Sequence, residues 1–226
     1  MRLFASSGVQ SGASPVGLIS DMQICLEGVG KKFQREWIFK NVDFTFGENR
    51  AYALTGANGS GKSTLLLLLS ALILPSRGTL LYRQKQRTLD HEMVYQHLTL
   101  AAPYQELIEE LTLGELLEFH FALKKPRESL SIAAIVQKMR LQNAYHKYIH
   151  QFSSGMKQRL KLGLALYSDS QLTLLDEPCT NLDAENTQWY QQEIKEVLGQ
   201  RLIVIASNQR HEYDFCDEVI DIVRFK

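Results

Sequence analysis

The 226-residue chain has no net charge: its 25 lysines and arginines match its 25 aspartates and glutamates. Composition therefore carries no electrostatic footprint for nucleic acid, whose phosphates select basic surfaces. Cysteine is scarce too. Cys25, Cys179 and Cys216 are an odd set with no C-x-x-C spacing, which argues against a disulfide framework or a zinc site and for reduced thiols in a cytosolic protein. Long apolar runs are missing. The longest, Leu65–Leu74, is broken by Ser70 and is about half of the roughly 20 residues a spanning helix needs. Residues 1–21, rich in Ser and Gly, lack the charged and apolar regions of a secretory signal. They are expected to form a disordered extension, with folded sequence from Met22 onward.

What the chain does have is concentrated in nine residues, Gly56-Ala57-Asn58-Gly59-Ser60-Gly61-Lys62-Ser63-Thr64. This is a complete G-x-x-x-x-G-K-[ST] phosphate loop. Its glycines let the backbone turn tightly with N–H groups facing an anion, Lys62 supplies a point charge to the β- and γ-phosphates, and the Ser63 hydroxyl is a Mg²⁺ ligand. Chance would give the four fixed positions roughly once in a hundred chains of this length. The flanks reduce that further, because Arg50–Leu54 reads as a buried strand and Ser63–Ala71 as a helix whose N-terminus faces the phosphates. The chain is expected to bind a nucleoside triphosphate.

Around the loop, Gln23–Glu27 and Val42–Phe46 alternate like half-buried antiparallel strands. Thr79–Tyr82 and Met93–Tyr95 read as short strands, and Leu113–Leu123, Ile132–Arg140 and Met156–Leu166 as helices. Leu172–Leu175 and Leu202–Ala206 are continuous apolar runs suited to parallel strands covered on both faces. Ala184–Leu198 reads as the helix between them, and Val219–Val223 as a last strand. His91, His97, His120, His146 and His150 form no ligand spacing and are expected on the surface.

The run Leu172-Thr-Leu-Leu-Asp176-Glu177 is a buried strand ending in two acids. Asp176 can hold Mg²⁺ and Glu177 can polarise an attacking water. Phe152-Ser-Ser-Gly-Met-Lys-Gln-Arg159 opens a helix between the two motifs, and Asp176-Glu-Pro is followed by Thr180-Asn-Leu-Asp183. In this order the motifs resemble the ATP-binding cassette (ABC) ATPases, from about Met22 to the C-terminus. Within that class the chain is similar to single-domain ATP-binding subunits of bacterial transporters, including the haem-exporter type.

The resemblance implies an α/β fold: a P-loop NTPase core of ABC type, an antiparallel β portion, and a helical subdomain over roughly 103–166. It implies ATP and Mg²⁺ as ligands, with Glu177, Lys62 and Asn208 as the catalytic groups. Phe33 matches the aromatic that stacks on adenine. Ser153 and Gly155 match the signature residues that reach the γ-phosphate on the opposite subunit of a homodimer or a heterodimer with a related ATPase. Asp183 links the two sites. The partner implied is a separate transmembrane permease, with this subunit cytoplasmic and peripheral on the inner face of the membrane. A coupling helix of that permease would dock near Tyr104–Leu111. Three positions depart from the pattern. Ser154 and Met156 alter the signature, Asn208 stands where the switch His is expected, with His211 nearby, and Gln105 reaches the Q-loop and its Mg²⁺ contact only after a loop shift. A soluble, non-transport ABC ATPase and a regulatory module with poor turnover remain as alternatives.

Overall fold

A computed structural model describes residues 21–85, 87–127 and 130–226. Two sheets share the chain. Strands β1 (Met22–Phe33), β2 (Glu36–Phe46), β4 (Arg77–Gln84) and β5 (Arg87–Leu89) form an antiparallel sheet in the order β2-β1-β4-β5. Strands β3 (Ala51–Thr55), β6 (Leu98–Ala101), β7 (Leu172–Asp176), β8 (Leu202–Ala206) and β9 (Glu218–Asp221) form a parallel sheet in the order β6-β7-β8-β3-β9.

The period of two along the parallel strands divides the interior. Leu172 and Leu174 of β7 and Leu202 and Val204 of β8 face one hydrophobic cluster, whereas Leu175, Ile203 and Ile205 face the other. The first cluster holds helix α1 (Lys62–Leu69) between the two sheets, through Leu65, Leu66, Leu68 and Leu69. The second gathers α2 (Leu113–Leu123), α3 (Ile132–Lys138), α4 (Ser154–Tyr167) and α5 (Ala184–Lys195). The helical stretch over 103–166 thus shares one continuous apolar cluster with the sheet. Its helices start where the sequence supplies caps: Thr112 and Glu115 form a capping box on α2, and Ser131, Ser153 and Asp183 each accept an N–H two or three residues into their helices.

Three expectations change. Met93–Tyr95 is not a strand but part of a 3₁₀ turn over His91–His97. Only Val94 is buried there, and Met93 and Tyr95 are exposed. The strand is the next run, Leu98–Ala101, because it can pair in register with Leu172–Leu175. The last strand ends at Asp221, and Ile222–Phe225 is a 3₁₀ turn. His120 is not a surface residue. Its Nε2 lies 2.8 Å from the Ser168 hydroxyl, and burial, aided by the Lys124 charge, pushes its pKa down to about 4. The extension expected over residues 1–21 lies, apart from Asp21, outside the described residues.

The contact between the β1 bulge and β4 needs a glycine. Gly78 has φ +79, and a Cβ there would sit 2.3 Å from the Gly28 carbonyl oxygen. Gly78→Ala is expected to destabilise the chain by about 2–3 kcal/mol, since left-handed backbone alone costs on the order of 1–3 kcal/mol in a non-glycine residue. Urea unfolding checks this as a lower midpoint at unchanged slope.

Candidate functional site

The phosphate loop spans the gap between β3 and α1. Gly61 takes φ +110 immediately before the helix, and a Cβ on it would lie 2.5 Å from the Ile38 side chain. Only glycine allows the loop to approach β2 so closely. The Lys62 side chain, almost fully buried, folds back so that its ammonium donates to the Gly56 carbonyl at 2.7 Å and the Ala57 carbonyl at 3.4 Å. A pocket of about 190 Å³ opens above the loop, lined by Ile38, Asn58, Gly59, Gly61 to Thr64 and Glu177. Two buried oxygens at the loop and at the end of β7, Ser60 Oγ and Asp176 Oδ1, have no hydrogen-bond partner. Buried polar atoms are ordinarily paired, so these mark a surface built to meet a polar ligand.

Register brings the other groups in. Leu54 of β3 pairs with Ala206 of β8, and Ala206 pairs with Asp176 of β7, so the three strands end in one row. Asp176 lies beneath the loop. Burial raises its pKa, while a hydrogen bond with the Ser63 hydroxyl and the Lys62 charge act in the opposite direction. Glu177 is exposed, its backbone N–H donates to the Ala206 carbonyl at 2.9 Å, and its φ is +44, an uncommon conformation for a side chain of that size. Asn208 reaches across from the end of β8. Its Oδ1 accepts the Gly56 N–H at 3.1 Å, and its Nδ2 lies 3.4 Å from Asn58 Oδ1. His211 is exposed, on the 3₁₀ turn Arg210–Glu212, and its imidazole groups with Cys179 and Glu212. Of the two candidates for the switch position, Asn208 is the one bonded to the phosphate loop.

Other predicted residues stand apart. Phe33, at the end of β1, is 49% exposed with the Lys31 ammonium 5.1 Å from its ring centroid, so it is not a core phenylalanine. Ser153 caps α4 by accepting the Met156 N–H at 3.2 Å. Neither Ser153 nor Gly155 is among the residues lining the phosphate pocket. Gly155 instead faces the Asn181 carbonyl, and the Gln158 side chain donates to the Pro178 carbonyl at 2.8 Å. Asp183 caps α5 through the Asn186 N–H at 2.8 Å. Gln105 lines a separate, larger groove. Its neighbour Tyr104 is the residue of this segment that senses Asp176: burial and that carboxylate push the phenol up to about 12. Sequence reasoning places Tyr104 only in the docking segment Tyr104–Leu111, because a tyrosine beside a predicted Q-loop matches no motif of the nucleotide site.

A strand, a phosphate loop and two acids at the neighbouring strand end define a P-loop ATPase. The profile of the ABC transporter family matches residues 39–180, and the chain belongs to that family. It is an ATP-binding cassette that binds and hydrolyses ATP. Among relatives, HrtA of Staphylococcus aureus strain Newman, named as a hemin import ATP-binding protein, is 29% identical over 221 residues, covering 89% of this chain and 97% of HrtA. Among solved structures, an ABC transporter ATP-binding protein from Pyrococcus furiosus superposes with a TM-score of 0.75 at 17% identity, covering 90% and 99% of the two chains. The dimeric ABC cassette MJ0796 gives 0.72 at 21% identity, covering 88% and 95%.

The Asn208 hydrogen bonds generate a test. Asn208→Ala is expected to lower ATP turnover by roughly ten- to a hundredfold, the scale for losing one polar group aimed at developing charge. His211→Ala should cost far less. Steady-state phosphate release measures both, and the reverse ranking would move the switch role to His211.

Proposed function

We propose that this chain closes with a second copy, or with a related ATPase, around two MgATP molecules, and that hydrolysis drives a separate transmembrane permease. The observation that carries the reading is a site in two parts. Lys62, Ser63 and Glu177 line one pocket, Asp176 and Asn208 are tied to its loop through Ser63 and Gly56, and the signature residues Ser153 and Gly155 have no such link to it. A signature that does not serve the pocket of its own chain is available to a second chain. Ser153 and the N–H groups of the first turn of α4 then supply anion-binding donors to that chain's γ-phosphate.

Mg²⁺ fits the donor set. Asp176 offers a buried carboxylate oxygen with no hydrogen bond, and the Ser63 hydroxyl is close enough to bond to that carboxylate. Both are hard oxygen ligands, as Mg²⁺ requires. When bound, the ion neutralises charge on the β- and γ-phosphates. The remaining work falls to side chains. Lys62 exchanges its two carbonyl partners for phosphate oxygens. Glu177 accepts a hydrogen bond from the attacking water and orients it. Asn208, already at the Gly56 N–H, donates its carboxamide N–H to the γ-phosphate but carries neither a proton to transfer nor a positive charge. Phe33 offers its exposed face to adenine.

Among the described residues no helix is long and apolar enough to cross a membrane. The reading of this subunit as peripheral on the inner face therefore rests on a docking surface. In the Tyr104–Leu111 segment Leu107 and Leu111 pack against the helical cluster, which leaves Tyr104 and Ile108 as its exposed apolar side chains. A groove of about 800 Å³, lined by Leu72, Tyr95, Leu98, Leu123, Leu164 and Gln105, is better suited to a permease segment. Leu72 and Leu123 are 64% and 76% exposed there, more apolar surface than a solvated rim needs.

Two experiments test this. Glu177→Gln should retain ATP binding, slow hydrolysis by on the order of a hundredfold or more, and accumulate an ATP-bound dimer in gel filtration; wild-type turnover would remove Glu177 from its role. Leu123→Asp should leave the isolated chain's ATP affinity and melting temperature unchanged while abolishing copurification of a polytopic membrane protein from native membranes. Unimpaired copurification would place docking elsewhere.

A further inference from the structure

The segments that follow β7 and β8 meet at three side chains that are not among the residues lining the phosphate pocket and that the proposed function does not use. Cys179 lies two residues past Glu177, and His211 and Glu212 lie three and four residues past Asn208. One ligand atom of each, the Cys179 sulfur, an imidazole nitrogen of His211 and a carboxylate oxygen of Glu212, lies within 4.8 Å of the other two. Glu212 is fully buried. Its Oε1 accepts the Cys179 backbone N–H at 2.9 Å. Its Oε2 is buried and makes no hydrogen bond of good geometry, with the Ser207 hydroxyl and the Cys179 thiol as the side-chain donors beside the carboxylate. A buried carboxylate oxygen so weakly met is unfavourable unless something else meets it. Cys179 is buried beside it, and His211 closes the group from the solvent side.

We propose that Cys179 Sγ, His211 and Glu212 Oε2 form a zinc site that fastens the segment after Glu177 to the segment after Asn208. The donor set decides the metal. One sulfur, one imidazole nitrogen and one carboxylate oxygen suit Zn²⁺, while Mg²⁺ and Ca²⁺ take oxygen ligands. Zinc bond lengths place neighbouring ligand atoms of a tetrahedral site about 3.5 Å apart, so the group must contract by about 1 Å. His211 can supply that movement because it is exposed on a single 3₁₀ turn, whereas Cys179 and Glu212 are fixed by packing. The exposed side leaves a fourth position for water.

The surroundings of the ligands fit this role. The Glu212 carbonyl accepts the Tyr190 hydroxyl at 3.0 Å, its Oε1 is held by the Cys179 N–H, and Thr187 hydrogen-bonds the thiol. Ligands held in this way by outer partners are oriented before the ion arrives. A divalent cation between the thiol and the carboxylate balances their negative charge, and the thiol proton passes to solvent as the Zn–S bond forms. The cysteine spacing, which argues against a zinc site, gives no hint of this one, since Cys179 lies more than thirty positions before the adjacent His211 and Glu212.

The test uses the full chain, stripped of metal and titrated with Zn²⁺ against a chromophoric chelator. The expected result is one Zn²⁺ per chain, with affinity falling at least tenfold in Cys179→Ser and in His211→Ala. Co²⁺ in place of Zn²⁺ should give a thiolate charge-transfer band in the wild type and in His211→Ala at raised metal concentration, but none in Cys179→Ser. Because His211 is exposed, its variant keeps the test valid if Cys179→Ser fails to fold. Wild-type affinity in His211→Ala would overturn the site, as would no stoichiometric binding by the wild type. The latter result would mean that the thiol and Oε2 form only an internal contact. The titration reads metal binding without turnover, so it stands or falls separately from the ATPase reading.

Discussion

The register of three parallel strands is the constraint on which the whole site depends. Leu54, Ala206 and Asp176 are aligned across β3, β8 and β7, so the next residues along each strand leave the sheet at the same level. Gly56 and Asn208 then meet at 3.1 Å, and Asp176 comes within hydrogen-bonding range of Ser63. A slip of one residue in any of these pairs would turn Asp176 to the opposite face of the sheet and exchange the two hydrophobic clusters. The alternation Leu172 and Leu174 inward to α1, Leu175 outward to the helices, prevents that slip. Packing far from the pocket therefore sets the geometry within it.

Legibility followed continuity along the chain. The phosphate loop, the acids after Leu172–Leu175 and the capped start of α4 are each contiguous, and each could be read from local chemistry. The strands of the parallel sheet were legible where both faces are covered, since β7 and β8 are unbroken apolar runs. Strand β6 was misplaced by a few residues. Met93-Val94-Tyr95 has better intrinsic strand character than its turn allows, and only pairing with β7 selects Leu98–Ala101 instead. His120 went unrecognised as a half-buried residue for the same reason: its partner, Ser168, comes from the far end of α4. Tyr104 and Glu212 had no motif to announce them. Their significance comes from Asp176 and Cys179, which the fold brings close from more than thirty positions away.

The short segment after Asp176 shows how the fold holds an unfavourable conformation. Glu177 at φ +44 and Asn181 at φ +64 both lie in the left-handed region, which costs on the order of 1–3 kcal/mol for each such residue unless the surroundings impose it. Three consecutive residues are fastened to three different elements. The Glu177 N–H bonds to the Ala206 carbonyl of β8, the Pro178 carbonyl accepts from Gln158 of α4, and the Cys179 N–H bonds to Glu212 beyond β8. Strain at Glu177 is thus maintained by contacts on its flanks, and its carboxylate, accepting from the Thr180 hydroxyl at 3.4 Å, lines the pocket.

Those same contacts link the two halves of the site within one chain. Gln158 belongs to the helix that Ser153 caps, and Pro178 follows the residue that faces the phosphate pocket. A displacement of α4 would therefore be felt at the backbone beside Glu177 through a single buried hydrogen bond, without passing through the sheet. Glu212 makes a second such link, from the segment that carries Asn208 to the same three-residue stretch. The sheet is close-packed on both faces and resists deformation. Helix α4, Glu177 and the segment after β8 are linked because Gln158, Ala206 and Glu212 are each bonded to residues 177–179.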